Sequence, residues 1–388
     1  MAGILKLSGN ILVESMDFGP AITAFFIDKF TDMPPIERID VNNVSESGTL
    51  SSFSTYRCVD GTVVTFDSYP DQNFLSPMDF LEPREKNELK KEIVFKIRLK
   101  ESFTYDNQEI SLIEANIQKR IMAPSIAMFS DGVIEFDRKI AMDYSFYMPK
   151  SVGPVPLIVW LHGAGEGGRS VWRRLLKPPV SRLVEPHIQN IFGGVAILIP
   201  QAETFWMDDG KGNYTVDGTT IYKKALHGLI TGILRSHPRL DPKRVYVGGC
   251  SNGGFMTIKM LLSYPELFAA GFPVCEVYND RWLKDEDIRV LSTIPLWFVQ
   301  SRDDPVVRPE DFCLPTCKRL LETKSNDIHL TLIEHVTDQT GKYTLHNGAP
   351  YRYHGHFSWI TALNDWCVDV IDGKKTTMFS WLSRQRKP

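Results

Sequence analysis

The sequence predicts a two-part chain: an all-β sandwich followed by an α/β unit with a mostly parallel sheet flanked by helices. Three observations carry that expectation. The first 120 residues hold short alternating strands punctuated by turn residues. From Leu157-Ile-Val-Trp-Leu161 onward, continuous apolar runs alternate with helical stretches, the rhythm of a buried parallel sheet. At 388 residues the chain also exceeds the usual size of one domain. The expected division is 1–120 and 121–388.

In the first part, strands are expected at 4–13, 22–27, 52–58, 61–66 and 92–99, with turns at Gly9-Asn10, Asp60-Gly61 and Tyr69-Pro70-Asp71. The charged stretch 77–91 favours a helical insert, and Met122-Ala123-Pro124 interrupts the pattern near the join. In the second part, 132–137 and 140–147 alternate like a strand pair. The runs 157–161 and 195–199 are apolar throughout and suit central parallel strands. Residues 221–236 have helical periodicity and lead through a turn at Asp241-Pro242 into the strand 245–247. Later strands are expected at 268–275, 295–300 and 328–334, and later helices at 312–324 and 376–385.

Composition is that of an ordinary globular protein, 43% hydrophobic, and a net charge of −3 offers no footprint for nucleic acid or an anionic membrane surface. The N-terminus lacks the continuous apolar core of a signal peptide, so a cytoplasmic protein is expected. Six scattered cysteines do not form a disulfide framework, and Cys313 and Cys317 have no partners for a zinc site.

The chemistry centres on Gly249-Cys250-Ser251-Asn252-Gly253, which is G-x-S-x-G between a strand and an apolar helix. That context defines a nucleophile elbow. The serine takes a strained backbone conformation, and only residues with little side chain fit two places before and after it. Cys250 neighbours the nucleophile, but at an elbow its side chain points elsewhere. A serine hydroxyl needs a base, the base needs an anionic partner, and the developing oxyanion needs donors. In this arrangement acid and histidine follow the serine in that order, each after a later strand. Asp303 and Asp304 follow the strand 295–300, and His354 and His356 follow the last expected strand of the sheet. Leu161-His162-Gly163-Ala164-Gly165-Glu166-Gly167-Gly168 is the oxyanion-loop candidate. Its donors would be the amides of Ala164 and Asn252, with Gly165 as the alternative to Ala164. The same loop matches G-x-G-x-x-G, but the next strand ends Ile199-Pro200-Gln201 without the acidic residue a dinucleotide site requires. Asp208-Asp-Gly-Lys-Gly-Asn213 is rich in oxygen ligands, yet lacks the remaining positions of a calcium loop and suits a solvated turn better.

Residues from about 130 onward resemble an α/β-hydrolase of the esterase and prolyl-oligopeptidase-like group. The likeness rests on His162-Gly-Ala-Gly165, Gly249-Cys-Ser-Asn-Gly253, Asp304-Pro-Val-Val307 and Gly355-His-Phe-Ser-Trp359 in the right order. An all-β domain before such a hydrolase is similar to esterases with an N-terminal immunoglobulin-like domain. The resemblance implies a catalytic set of Ser251, Asp304 and His356, Asp303 remaining the alternative acid, with Ala164 and Asn252 at the oxyanion hole. Pro200-Gln201 followed by Phe205-Trp206 is similar to a stretch near the substrate pocket of these proteins, where Trp206 would wall an acyl pocket or pack a loop. Glu166, from its place in the glycine-rich loop, would screen the substrate mouth or hydrogen-bond a neighbouring loop. The expected activity is hydrolysis of a small-molecule ester through a covalent acyl-enzyme, without metal or organic cofactor. Peptidase activity, or a non-catalytic scaffold on the same fold, are the alternatives. The N-terminal domain could cap the site, hold a partner or mediate a homo-oligomer.

Overall fold

The computed structural model describes residues 3–43, 46–77, 93–136, 140–177, 179–323 and 327–388. Chain contacts divide the protein into two compact units, with the main break between Ala127 and Met128. The stretch expected as a charged helical insert, 77–91, lies outside the described residues except for Pro77.

The first unit is all-β. Its strands are β1 (Gly3–Met16), β2 (Gly19–Asp28), β3 (Ile36–Asn43), β4 (Ser47–Thr49), β5 (Ser54–Cys58), β6 (Gly61–Thr65), β7 (Ile93–Tyr105) and β8 (Gln108–Met122). They form one continuous sheet ordered β4-β3-β7-β8-β1-β2-β6-β5, antiparallel except where β1 runs parallel to β8. The register of β1 shifts at Leu12/Val13 against β2 and between Gly9 and Ile11 against β8. Such irregularities bend long strands and let a single sheet fold over on itself. The two halves then meet face to face, with the ring of Phe25 on β2 stacked 4.1 Å from that of Phe95 on β7. Alternation supplies this core: Ile11 and Val13, Phe25 and Ile27, Ile39 and Val41, Phe95 and Ile97 all point inward and are buried. Strands β3, β4 and β8 were not expected from sequence. In β3 and β8, Glu, Asp, Asn, Gln and Lys fill so many positions that alternation is hard to see, and β4 is only three residues long.

The second unit has a sheet of β9 (Ser130–Phe136), β10 (Ile140–Tyr147), β11 (Val155–Leu161), β12 (Ala196–Gln201), β13 (Leu240–Cys250), β14 (Ala270–Val274), β15 (Leu296–Ser301) and β16 (Ile328–Ile333). A small antiparallel hairpin, β17 (Val368–Ile371) and β18 (Lys374–Thr377), stands apart from it. The sheet order is β16-β15-β14-β13-β11-β12-β10-β9, parallel from β12 to β16 and antiparallel at β10 and β9. The helices are α1 (Pro124–Ala127, in the first unit), α2 (Val171–Leu176), α3 (Pro186–Phe192), α4 (Lys223–Ser236), α5 (Asn252–Ser263), α6 (Asp285–Leu291), α7 (Cys313–Glu322), α8 (Trp359–Leu363) and α9 (Met378–Leu382). This is the α/β-hydrolase architecture behind an all-β unit. Every residue of β11 is buried, as a strand covered on both faces requires. Asp241 and Pro242, expected in a turn, lie at the start of β13, where Asp241 accepts the amide of Lys243 at 3.0 Å. The segment expected as one helix at 376–385 divides into β18 and α9, because the Thr377 hydroxyl caps α9 by accepting the Ser380 amide.

The chain leaves β11 for β12 on one side, then crosses back to β13 on the other. Ligands of open α/β sheets bind where the strand order reverses in this way, beyond the carboxyl ends of the strands. The glycine-rich loop follows β11, and Ser251 follows β13, so both stand at that crevice.

Candidate active site

Ser251 has φ +55° and ψ −114°, in a region that side-chain-bearing residues rarely adopt. Two hydrogen bonds hold it there. Its N–H donates to Val274 O at 2.9 Å, and its carbonyl accepts from Phe255 N at 3.0 Å. The turn is tight because β11 lies against it: a Cβ on Gly249 or Gly253 would collide with the carbonyl of Leu161. Helix α5 starts at the next residue and is buried along most of its length. Its first amide, Asn252 N–H, takes no backbone partner among the described residues, and neither does that of Ala164. Both remain available as donors. The Cys250 thiol is buried and held protonated, first by desolvation and then by neighbouring negative charge, so it offers no rival nucleophile.

The glycine-rich loop is clamped by the segment that follows β12. His162 Nδ1 donates to Gly163 O at 2.6 Å, and its Nε2 accepts from Ala202 N at 3.0 Å, which defines one neutral tautomer. Burial pushes this imidazole down to about 4, assisted by the positive charge of Arg174. Gln201 donates to Glu166 O at 2.7 Å and Arg173 to Gly167 O at 2.9 Å, while Met207 N reaches the Asn252 side chain at 3.3 Å. Arg174 is buried and ties Ser145, Gln201 and Asp131 together. Trp206, expected to wall an acyl pocket, has no exposed surface. Its indole N–H donates to His162 O at 3.1 Å and its ring lies 4.9 Å from His162, so it braces the loop from within. Glu166 is buried as well, its carboxylate beside Gly163. Desolvation raises its carboxyl, opposed by the nearby Lys177 charge.

His356 Nδ1 lies 2.8 Å from Asp304 Oδ2. Asp304 is buried, and its Oδ1 accepts from Val306 N at 2.8 Å and Val307 N at 2.9 Å. Burial works to raise this carboxyl, but the hydrogen bond and charge of His356, with the two amides, outweigh it and hold it below the ordinary range. Asp303 has other partners. It is paired with Arg352 at 2.6 Å and His335 at 3.0 Å, and accepts the Ser301 hydroxyl. His354 is exposed and accepts the His356 amide at 3.3 Å. The structure thus brings His356 together with Asp304 and leaves Asp303 and His354 with structural contacts.

Cys275 Sγ lies with Asp304 and His356 in a group whose ligand atoms fall within 4.8 Å of one another. Desolvation and the Asp304 charge keep the thiol protonated, and His356 Nδ1 is committed to Asp304, so the group forms the back of this dyad. In the 208–213 turn, Asp208 Oδ1 accepts from Gly210 N and Gly212 N, and Asp209 Oδ1 accepts from Lys211 N and Asn213 N. These carboxylates are spent on the turn's own amides, although Asp208 is buried rather than solvated. Sequence reasoning missed Arg174 and Gln300. Gln300 had a readable signal: it is a lone amide near the carboxyl end of a strand whose preceding residues are all apolar.

Among the described residues no helix is long and apolar enough to cross a membrane. Residues 228–299, from α4 through β15, match the prolyl oligopeptidase family. No curated protein matches the sequence. Among solved structures, one described as a thermostable esterase aligns over 98% of this chain and 100% of its own, with 20% identity and a TM-score of 0.73. An acylaminoacyl peptidase complexed with a chloromethyl ketone aligns over 88% of this chain and 67% of its own, at 13% identity and a TM-score of 0.40. S-formylglutathione hydrolase from Staphylococcus aureus aligns over 66% and 98%, at 13% identity and a TM-score of 0.42.

Proposed function

Starting from a serine hydrolase of the α/β-hydrolase fold, we propose that this chain cleaves carboxylic esters through Ser251, His356 and Asp304. The observation that carries the reading is the pairing of His356 Nδ1 with the buried Asp304 at 2.8 Å, in a unit whose Ser251 occupies the strained elbow conformation. With Nδ1 committed, Nε2 is the nitrogen left to take a proton. Ser251 Oγ attacks the ester carbonyl as His356 Nε2 accepts its proton, and Asp304 stabilises the imidazolium. The amides of Ala164 and Asn252 donate to the oxyanion, while the proton on Nε2 passes to the leaving alcohol. Water activated by His356 then hydrolyses the acyl-enzyme and returns Ser251.

A small-molecule ester is the preferred substrate because esters are easier acyl donors than amides. The family match over 228–299 favours a second reading, a peptidase using the same residues. A panel of p-nitrophenyl esters and peptide amides, run on wild type and Ser251→Ala, separates the two. Wild-type protein should be labelled by a fluorophosphonate and should turn over esters faster than amides. Ser251→Ala should lose both labelling and ester hydrolysis, with kcat down on the order of 10⁶-fold. Full activity in Ser251→Ala would falsify the assignment. His356→Ala should share the loss, and His354→Ala should stay within about tenfold of wild type.

A further inference from the structure

The carboxylate of Asp304 has four lone-pair directions and four donors. Oδ1 takes the amides of Val306 and Val307, and Oδ2 takes His356 Nδ1 and Gln300 Nε2, the last at 3.2 Å. Gln300 is fully buried near the end of β15, four residues before the acid. The same amide nitrogen also donates to Val307 O at 2.9 Å and faces Ser301 O at 3.4 Å. Three acceptors around one nitrogen leave no doubt which end of the amide is the donor. The side chain therefore spans the acid loop from its first residue to its last. Its other end, Oε1, is buried with no hydrogen-bond partner among the described residues. A side chain serving only to fill this strand position would be apolar, since an unsatisfied buried carbonyl is unfavourable. Gln300 retains that unfavourable oxygen together with a donor aimed at the oxygen that faces His356.

We infer that Gln300 is a positioning residue for the reaction, fixing which carboxylate oxygen of Asp304 meets His356 and sharing that oxygen's charge. This rests on the reading of Asp304 and His356 given above. Without the donor, the orientation of Asp304 is left to the Val306 and Val307 amides and Oδ2 is less neutralised, so it attracts a protonated imidazole more strongly. Turnover should fall, and the acidic limb of the kcat/KM profile should move to higher pH. The titratable groups around this carboxylate are His356 and the Cys275 thiol, with Asp303, Arg352 and His335 beyond the loop and Glu166 across from His356. All of them are kept in the variants.

The test uses Gln300→Met, which fills the space without a donor, alone and combined with Asp304→Asn. Two readouts are taken, p-nitrophenyl ester hydrolysis from pH 5 to 9 and the rate of inactivation by a fluorophosphonate. Expected for Gln300→Met are a loss in kcat of about tenfold, KM within about twofold, and an acidic limb displaced upward by about half a pH unit. In the Asp304→Asn background the same substitution should change the inactivation rate by less than about twofold, because its effect passes through Asp304. A wild-type kcat, an unmoved limb, or a loss that multiplies with that of Asp304→Asn would overturn the inference. Should Gln300→Met fail to fold, Gln300→Glu decides. Its introduced carboxyl repels Asp304 when ionised and can donate when protonated, so activity relative to wild type should rise as pH falls from 8 to 6. Parallel profiles overturn the inference. Fluorophosphonate labelling of wild type, lost in Ser251→Ala, reports on the triad reading separately. Labelling with no Gln300 effect sinks only this inference, and absent labelling sinks the triad.

Discussion

Asp304 and Glu276 follow neighbouring parallel strands, β15 and β14, and both are almost entirely buried, at 3% and 1% exposure. Their surroundings differ in donors. Asp304 receives two backbone amides, the Gln300 amide and His356. Glu276 receives the Tyr278 amide at 2.5 Å on Oε2, while Oε1 has no hydrogen-bond partner among the described residues. Desolvation pushes both carboxyls up. Asp304 nonetheless ends below its ordinary range, whereas Glu276 is pushed up to about 8, with Asp280 adding a repulsive charge. Two carboxyls shielded from solvent thus differ at neutral pH, one a carboxylate and the other, more deeply desolvated, a carboxylic acid. Donors and depth of burial together decide the charge, and only the charged member can hold an imidazolium. Glu276 serves packing instead, lying so close under α5 that a Cβ on Gly254 would come within 2.7 Å of it.

Removing the charge from Asp304 is the strongest challenge to this contrast. Asp304→Asn should lower kcat on p-nitrophenyl esters about 10⁴-fold with little change in fold, because the imidazole loses its tautomer and its counter-charge. A loss below about tenfold would mean that the saturated carboxylate is not the working acid. Glu276 should instead govern stability. Between about its ordinary value of 4.5 and its folded value of about 8, the folded protein keeps a proton that the unfolded chain releases. Stability therefore falls as pH rises through that window and levels off above it, with a slope of up to about 1.4 kcal/mol per pH unit. Glu276→Gln cannot ionise and can still accept from Tyr278. It should flatten the dependence, gaining about 2–4 kcal/mol on wild type between pH 5 and pH 8 in urea unfolding, with kcat unchanged at pH 6. A wild-type stability that stays level across this range in Glu276→Gln comparisons would remove Glu276 from the contrast. The smallest effect belongs to Asp303. Its ion pair with Arg352 and its contact with His335 are partly exposed, so Asp303→Asn should change kcat less than about fivefold. A loss approaching that of Asp304→Asn would return the acid's identity to open choice.

The serine side of the candidate site was readable because its constraints are local. Thirteen residues from Arg244 to Met256 contain the strand, the glycines that must yield to Leu161, the serine and the start of α5. The acid side was readable only to within a pair. Asp303 and Asp304 are adjacent and chemically alike, and they differ in which way each side chain leaves the turn, toward Arg352 or toward His356. No periodicity encodes that. Trp206 illustrates the opposite failure. Its place beside the site suggested a pocket wall, but an indole can expose a face or donate its N–H inward, and here it donates to His162. Gln300 passed unnoticed because an amide near the end of an apolar strand has meaning only once the loop it reaches is folded against it.

By itself, the sequence determined the fold class, the strained turn at Ser251 between strand and helix, and the glycine-rich loop that precedes it. Those features are set by spacing and by steric demands within a few residues of chain. Tertiary structure alone decided that His356 meets Asp304 across 52 residues of sequence, and that Asp304 is surrounded by donors while Glu276 is not. Ionisation in a buried site depends on which donors are turned toward it. Neither the folding of Gln300 and the Val306 and Val307 amides onto Asp304 nor the approach of His356 follows from residue spacing.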